Sequence, residues 1–247
     1  MDNSRCDIRR ATHNFIAWRT EGAWTADGTV FDIGIATDAA ISRLIDGRDP
    51  SAAGGRDIRD NGNGSLMRIA PLVFCAEKLD AHERFELVRT VSSMTRGHPW
   101  SAAACFLFVE FLRLLREGRE PNEAYDELRS LPFLQVLIEP ETLSKFDRIL
   151  KNDIRRASED GIRSGGFVID TLEAALFCLL GATGYEDAVL HAVRLGGDTD
   201  TTAAVTGAAA GLAFGIEAIP QAWLQTLRGR DLIERTALRL GGRAQAA

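Results

Sequence analysis

Two carboxylates and several hydroxyls crowd one short stretch, Asp198-Thr199-Asp200-Thr201-Thr202, directly behind the paired glycines Gly196 and Gly197. Oxygen donors of this kind suit a hard divalent cation such as Mg2+, which makes Asp198, Asp200 and Thr201 candidate metal ligands. The glycines let the backbone turn sharply and approach a ligand closely. A second reading stays open, because an Asp or Thr before an apolar run is also what any helix N-terminus favours. Behind the motif, Ala203 to Gly211 contains only Ala, Val, Thr and Gly. So slim a helix fits a buried central position that holds its N-terminus rigidly in a cleft.

A second stretch, Asn61-Gly62-Asn63-Gly64-Ser65, leads into an apolar period over Ser65 to Ala70. A glycine-rich turn that opens a helix gathers backbone N–H groups at one point, a nest suited to phosphate or carboxylate. A tight surface turn is the alternative. Asp170 and Glu173 stand three apart behind Gly165-Gly166-Phe167, a spacing that reads as an N-cap with its capping-box partner. His98 precedes Pro99 at the start of an apolar helix, where it serves as a cap or as a ligand contact. No second His or Cys stands at ligand spacing from it, which argues against a metal there.

The elements that must carry these residues follow from the apolar periods. Helical spacing covers residues 7–20, and Phe31 to Thr37 leads into a helix with Ala40, Ile41, Leu44 and Ile45 on one face. Residues 46–64 read as loop. Asp80 caps a helix that ends at Gly97, and the next runs from Pro99 through Leu115. Residues 118–164 hold three prolines between short amphipathic helices and read as a peripheral, solvated layer. A helix over Tyr185–Leu195 feeds the Gly-Gly turn, and two more close residues 217–240 with Ile219, Trp223, Leu227, Leu232, Ile233 and Leu240 inward. No period-two series stands out, so the expectation is an all-α, multi-helix domain spanning 1–247 as one unit.

Composition bounds the partners. The chain has 247 residues, 45% of them hydrophobic, with a net charge of −6. A pI near 5.3 offers no basic surface for a phosphate backbone, so nucleic acid is not expected as a partner. An acidic chain that binds an anionic nucleotide needs cations to help. Cys6, Cys75, Cys105 and Cys178 lack metal or disulfide spacing and read as reduced thiols. No apolar run reaches spanning length and no secretion signal opens the chain, so no membrane partner and a cytoplasmic location are expected.

Taken together, several stretches make the chain recognisable. Leu195 to Gly215 resembles the C-terminal signature of the ADP-ribosylglycohydrolase family. The string Asn61-Gly-Asn-Gly-Ser-Leu-Met-Arg-Ile-Ala-Pro-Leu72 is similar to the family's second signature, whose loop contacts ADP-ribose. Phe15 to Trp18 with Asp32 to Thr37, and Gly166-Phe167-Val168-Ile169-Asp170-Thr171, resemble two further family segments. The resemblance implies a compact helical fold and hydrolysis of the glycosidic bond between ADP-ribose and a protein side chain or small acceptor. It implies Mg2+ or Mn2+, two ions in intact members, held here by Asp198, Asp200 and Thr201. Asp32 matches an aspartate near the scissile ribose, and Asn61, Gly62, Asn63, Gly64, Ser65, His98, Phe167, Gly196 and Gly197 match substrate-binding positions.

Two departures accompany the resemblance. Members carry a T-D-D-[ST] motif upstream of the block matched by Phe15 to Trp18, and no counterpart stands in this sequence. One aspartate pair alone implies a half-open cation site. The alternative function is therefore a catalytically impaired member that binds ADP-ribose or serves structurally. The other departure is Arg96, where the family often has a histidine after the threonine matched by Thr95.

Overall fold

The protein is described by a computed structural model covering residues 6–245. It is 67% helical and contains no sheet among the described residues, as the apolar periods require. The first helix, α1 (Ile8–Glu21), is capped by Asp7, whose carboxylate accepts the Arg10 amide. It packs on α2 (Ile35–Ile45), where Ala40, Ile41 and Leu44 are buried while Ile45 is exposed.

Residues 46–64 are not wholly loop. Asp49 caps a short helix α3 (Pro50–Ala53), and Asp57 and Asp60 form a reciprocal capping box around a 3-10 turn, Ile58–Asp60. The expected helix over Ser65–Ala70 is also corrected, because Leu66–Arg68 forms a 3-10 turn followed by the single-turn α4 (Leu72–Cys75). The cause is local. An α-helix would pair the Arg68 amide with the Gly64 carbonyl, but the Arg68 guanidinium takes that carbonyl and the amide turns to Ser65.

Asp80 and Glu83 form the capping box of α5 (Ala81–Ser93). His98 then caps α6 (Pro99–Arg116), which is apolar nearly all round and buried from Ser101 to Val109 without interruption. A helix of that kind can only be a core helix. The layer α7 (Pro121–Ser130), α8 (Leu134–Leu137), α9 (Pro140–Ser144) and α10 (Asp147–Leu150) covers it. This layer is more than a solvated rim, since Tyr125, Leu128, Phe146 and Ile149 are fully buried. The Tyr125 hydroxyl donates to the Ile149 carbonyl and accepts the Ile154 amide, tying the layer to the segment that follows.

The second core helix is α11 (Val168–Leu180), which packs on α6 and on α13 (Thr199–Phe214). Between them in sequence, α12 (Tyr185–Arg194) lies along α13. The small residues of α13 permit this close packing, but they bury only one side. Thr201, Thr202, Val205, Thr206, Ala209 and Ala210 face inward, whereas Ala204 is exposed, so α13 flanks the core rather than occupying its centre. The final helices α14 (Gln221–Thr226) and α15 (Arg230–Gln245) differ from expectation too. Leu227 and Ile233 are about half exposed, and no residue of α14 is buried. Cys105 and Cys178 are buried, reduced thiols of α6 and α11. No described helix is long and apolar enough to cross a membrane.

Candidate functional site

Three turns far apart in sequence are stitched together at the N-terminal ends of α11 and α13. Gly62 bridges antiparallel to Phe167, with the Asn63 amide donating to the Gly166 carbonyl and the Val168 amide to the Asn61 carbonyl, both at 2.9 Å. The Asp198 amide donates to the Ser164 carbonyl at 2.7 Å. Ser164 Oγ in turn donates to the Gly196 carbonyl at 2.9 Å, which fixes the Gly-Gly turn. Gly196 and Gly197 both have left-handed φ values, and a Cβ on Gly197 would lie 2.5 Å from the Ser164 carbonyl oxygen. No other residue fits that position.

Asn63 is the hinge of the arrangement. It is 7% exposed, and its Nδ2 donates to Asp198 Oδ2 at 2.7 Å and to Thr171 Oγ1 at 2.9 Å. Thr171 Oγ1 also reaches the Gly165 and Phe167 carbonyls. Asn61, 1% exposed, accepts from Ser101 Oγ at 2.9 Å and so anchors the turn to α6. Ser65 is buried and accepts from Cys105 Sγ. Those commitments leave the Gly62, Gly64 and Ser65 amides without an acceptor among the described residues. The nest therefore consists of free backbone N–H groups, with no long helix behind it to add a macrodipole.

The Asp198 carboxylate is turned toward Asn63 of the neighbouring turn and makes no side-chain cap bond to its own helix. Burial pushes its pKa up, but hydrogen bonds from Asn63 and Thr201 help to outweigh this and hold it below the usual carboxylate range. Its contact with the Thr201 amide falls short of a formed N-cap hydrogen bond, and the principal partner is Asn63. Asp200 is exposed beside it, Thr201 is 5% exposed, and the fully buried Thr202 hydroxyl has no partner. This tip presents oxygen donors only, the set that suits a hard cation. Among the described residues, no group of three or more His, Cys, Asp or Glu side chains converges on one point.

The remaining expected residues surround this centre unevenly. His98 is half-buried, and its Nδ1 accepts the Trp100 amide while its ring meets the Trp100 ring edge-on. Burial lowers its pKa, against the pull of Asp57 and Asp60. Phe167 lines the same wall, edge-on to Trp100. Asp32 is exposed, with a left-handed φ of 48°, just before the Gly34 that starts α2. No hydrogen bond or ion pair joins Asp32 to Asp198 or Asp200. The capping-box reading of Asp170 and Glu173 is corrected. Phe167 is the N-cap residue of α11, and Glu173 is a buried partner of Arg148 at 2.9 Å.

Sequence reasoning passed over Ser164, Thr171 and Ser101, which hold the turns in place. Thr171 stands in the segment already singled out, six residues after Gly165, so its hydroxyl was visible. Ser101 and Ser164 carry no signal beyond their type.

A family model described as ADP-ribosylglycohydrolase matches residues 1–247. The chain belongs to the ADP-ribosylglycohydrolase family. It is 30% identical over 256 residues to the ADP-ribosylarginine hydrolase Tri1 of Pseudomonas putida, covering 99% of this chain and 62% of that protein. It is 30% identical over 237 residues to the protein of the same name from Serratia proteamaculans, covering 96% and 61%. The chain thus spans somewhat less than two thirds of the length of these curated relatives. A solved ADP-ribosylglycohydrolase-related protein complex contains a similar chain, at 31% identity and a TM-score of 0.75 over 95% of this chain and 73% of that one. Within this ADP-ribosylglycohydrolase chain, the two family segments of greatest length are the ones that meet at the Asn63–Asp198 bond.

Proposed function

We propose that this chain forms the catalytic site of a cytoplasmic, metal-dependent hydrolase that cleaves the glycosidic bond between ADP-ribose and a protein side chain or small acceptor. The observation that carries the reading is the 2.7 Å bond from Asn63 Nδ2 to Asp198 Oδ2, which turns two separate motifs into one site. In this reading Asp198, Asp200 and Thr201 hold Mg2+ or Mn2+. A hard cation there supplies Lewis-acid polarisation at the ribose, where charge develops as the glycosidic bond breaks. The free amides of Gly62, Gly64 and Ser65 bind the diphosphate. Phe167, with His98 behind it, walls the adjoining side, Gly196 and Gly197 let the ribose approach the backbone, and Asp32 assists at the ribose from the rim.

The Pseudomonas and Serratia relatives are named for ADP-ribosylarginine, so a protein carrying ADP-ribosylated arginine is the first substrate to offer. Release of ADP-ribose with Mg2+ or Mn2+ is expected to fall at least about a hundredfold in Asp200→Ala. Native turnover in that variant ends the reading. A second reading, an ADP-ribose-binding member without turnover, draws on the absence of a third converging acid among the described residues. Calorimetry separates the two, because binding of ADP-ribose without its release from modified protein favours the binder.

A further inference from the structure

Arg96 is a buried cation with no carboxylate at ion-pair distance among the described residues. It is 6% exposed, and its Nη1 donates to Thr37 Oγ1 at 3.2 Å and to the Thr95 carbonyl at 3.1 Å. Its Nε is fully enclosed and has no partner. That unused edge is pressed against the Asn61–Ser65 turn. A Cβ on Gly62 would come 3.4 Å from Nε and Nη2, and one on Gly64 would come 3.0 Å from Nη2. The guanidinium thus lies against the faces of both glycines, most tightly at Gly64.

Arg68, half-buried, stands behind it. It donates to the Gly64 and Val91 carbonyls and, at 2.7 Å, to Thr95 Oγ1, and its face lies 4.9 Å from the centre of the Phe15 ring. Its Nε too is buried without a partner. Among the described residues no carboxylate comes within ion-pair distance of either arginine. Asp60 is the acid whose field reaches Arg96, but its carboxylate accepts the Asp57 amide at 2.9 Å. One buried and one half-buried positive charge without a carboxylate at ion-pair distance are costly in the free protein, and an anion in the adjoining nest relieves that cost.

We propose that Arg96, reinforced by Arg68, supplies the counter-charge for a diphosphate held on the Gly62, Gly64 and Ser65 amides, and so sets the preference of this site for ADP-ribose over its uncharged portions. The inference rests on the ADP-ribose reading above. Arg96 acts through the turn, as a positioning and specificity-determining residue remote from the bond that breaks. Its charge attracts the diphosphate, and its bond to Thr37 holds α2 against the nest.

The test is calorimetry on the full chain with ADP-ribose, AMP, adenosine and inorganic pyrophosphate at low and high salt, comparing native protein with Arg96→Gln and Arg96→Lys. Native protein is expected to bind ADP-ribose with an affinity that falls as salt rises. Arg96→Gln should weaken ADP-ribose about tenfold or more, flatten the salt dependence and leave adenosine unchanged, while Arg96→Lys recovers much of the loss. Native affinity and salt dependence in Arg96→Gln overturn the inference, as does an equal loss for ADP-ribose and adenosine, which marks a merely structural role. If native protein binds pyrophosphate in an Arg96-dependent way but not ADP-ribose, the anion site stands and the ADP-ribose reading fails. If it binds neither, the inference fails with it. Should Arg96→Gln not fold, the native series decides, since adenosine binding as tightly as ADP-ribose rules out a counter-charge.

Discussion

Arg84, in the first turn of α5, and Arg96, just beyond its C-terminus, are both buried, and the protein treats them oppositely. Arg84 meets Glu110, which is wholly buried, through a two-pronged fork of 2.6 Å from Nε and 3.0 Å from Nη2. Its Nη1 donates to the Leu79 carbonyl, and Arg113 adds a third bond to Glu110 at 3.0 Å. Arg84, Glu110 and Arg113 thus all have internal partners. Arg96 receives only a hydroxyl and a carbonyl, with its Nε left over. The fold can satisfy a buried arginine when nothing else will, and under the Asn61–Ser65 turn it does not. On the proposal above, that difference marks the place where a bound anion is expected.

Breaking the satisfied side should have the largest effect on stability. Glu110→Gln strands the Arg84 guanidinium in a dry environment, while Arg113 keeps Glu117, and chemical or thermal unfolding is expected to show a loss of about 3–5 kcal/mol. Arg96→Gln should change the stability of the ligand-free chain by only about 1 kcal/mol in either direction. Two lost hydrogen bonds are offset by the removal of a buried, unpaired charge. Equal destabilisation by the two substitutions would show that the arginines are the same kind of structural residue, and the contrast would vanish.

Glu173 offers an intermediate case, an acid that is 3% exposed with one half-exposed partner, Arg148. Burial pushes its pKa up to about 7, and Arg148 offsets only part of this. Because the folded value lies above the usual 4.5, the native state binds the extra proton between those two values. Stability must then fall as pH rises from about 4.5 to 7 and level off above. The loss is on the order of 1–3 kcal/mol. Glu173→Gln fixes the neutral form, so its unfolding free energy should lack this slope and match or exceed the native value at pH 8. A native protein with no such slope would place Glu173 with the fully satisfied Glu110.

Much of this was legible before any coordinates. The helical class follows from period alone, and the caps at Asp80 and His98 followed from short-range rules that tertiary contacts did not override. Where expectation failed, a long side chain or a distant element intervened. Arg68 took the carbonyl that would have continued a helix from Ser65. Glu173 left the capping pattern because α11 already begins at Val168, which places it inside the helix, where Arg148 reaches it from α10. The apolar period of α14 and α15 reveals which face is greasy but not whether anything covers it, and Ile233 remains exposed. The candidate site was legible as two motifs; their union was not. Nothing local in Asn63 announces that its amide will meet Asp198, 135 positions away. The lone Arg96 was visible only as a departure from pattern, since its missing counter-ion is a property of space.

Gly64 provides the smallest and most discriminating test of the contrast. Its φ lies outside the left-handed region, so alanine is conformationally acceptable there, and the added Cβ meets chiefly Arg96 Nη2 at 3.0 Å. Nη2 ends a long side chain that can give by a few tenths of an ångström, so the cost to stability should stay below about 1 kcal/mol. Displacing the guanidinium should nevertheless weaken ADP-ribose a few-fold, about 0.5–1 kcal/mol, by moving charge away from the nest. At Gly62 the nearest approach is 3.4 Å, ordinary contact, and alanine there should disturb Arg96 less. A double-mutant cycle assigns the cause. If the Gly64→Ala loss disappears in an Arg96→Gln background, the new methyl acts through the arginine. If it persists undiminished, the methyl obstructs the ligand directly, and the glycine at 64 serves the diphosphate rather than the cation behind it.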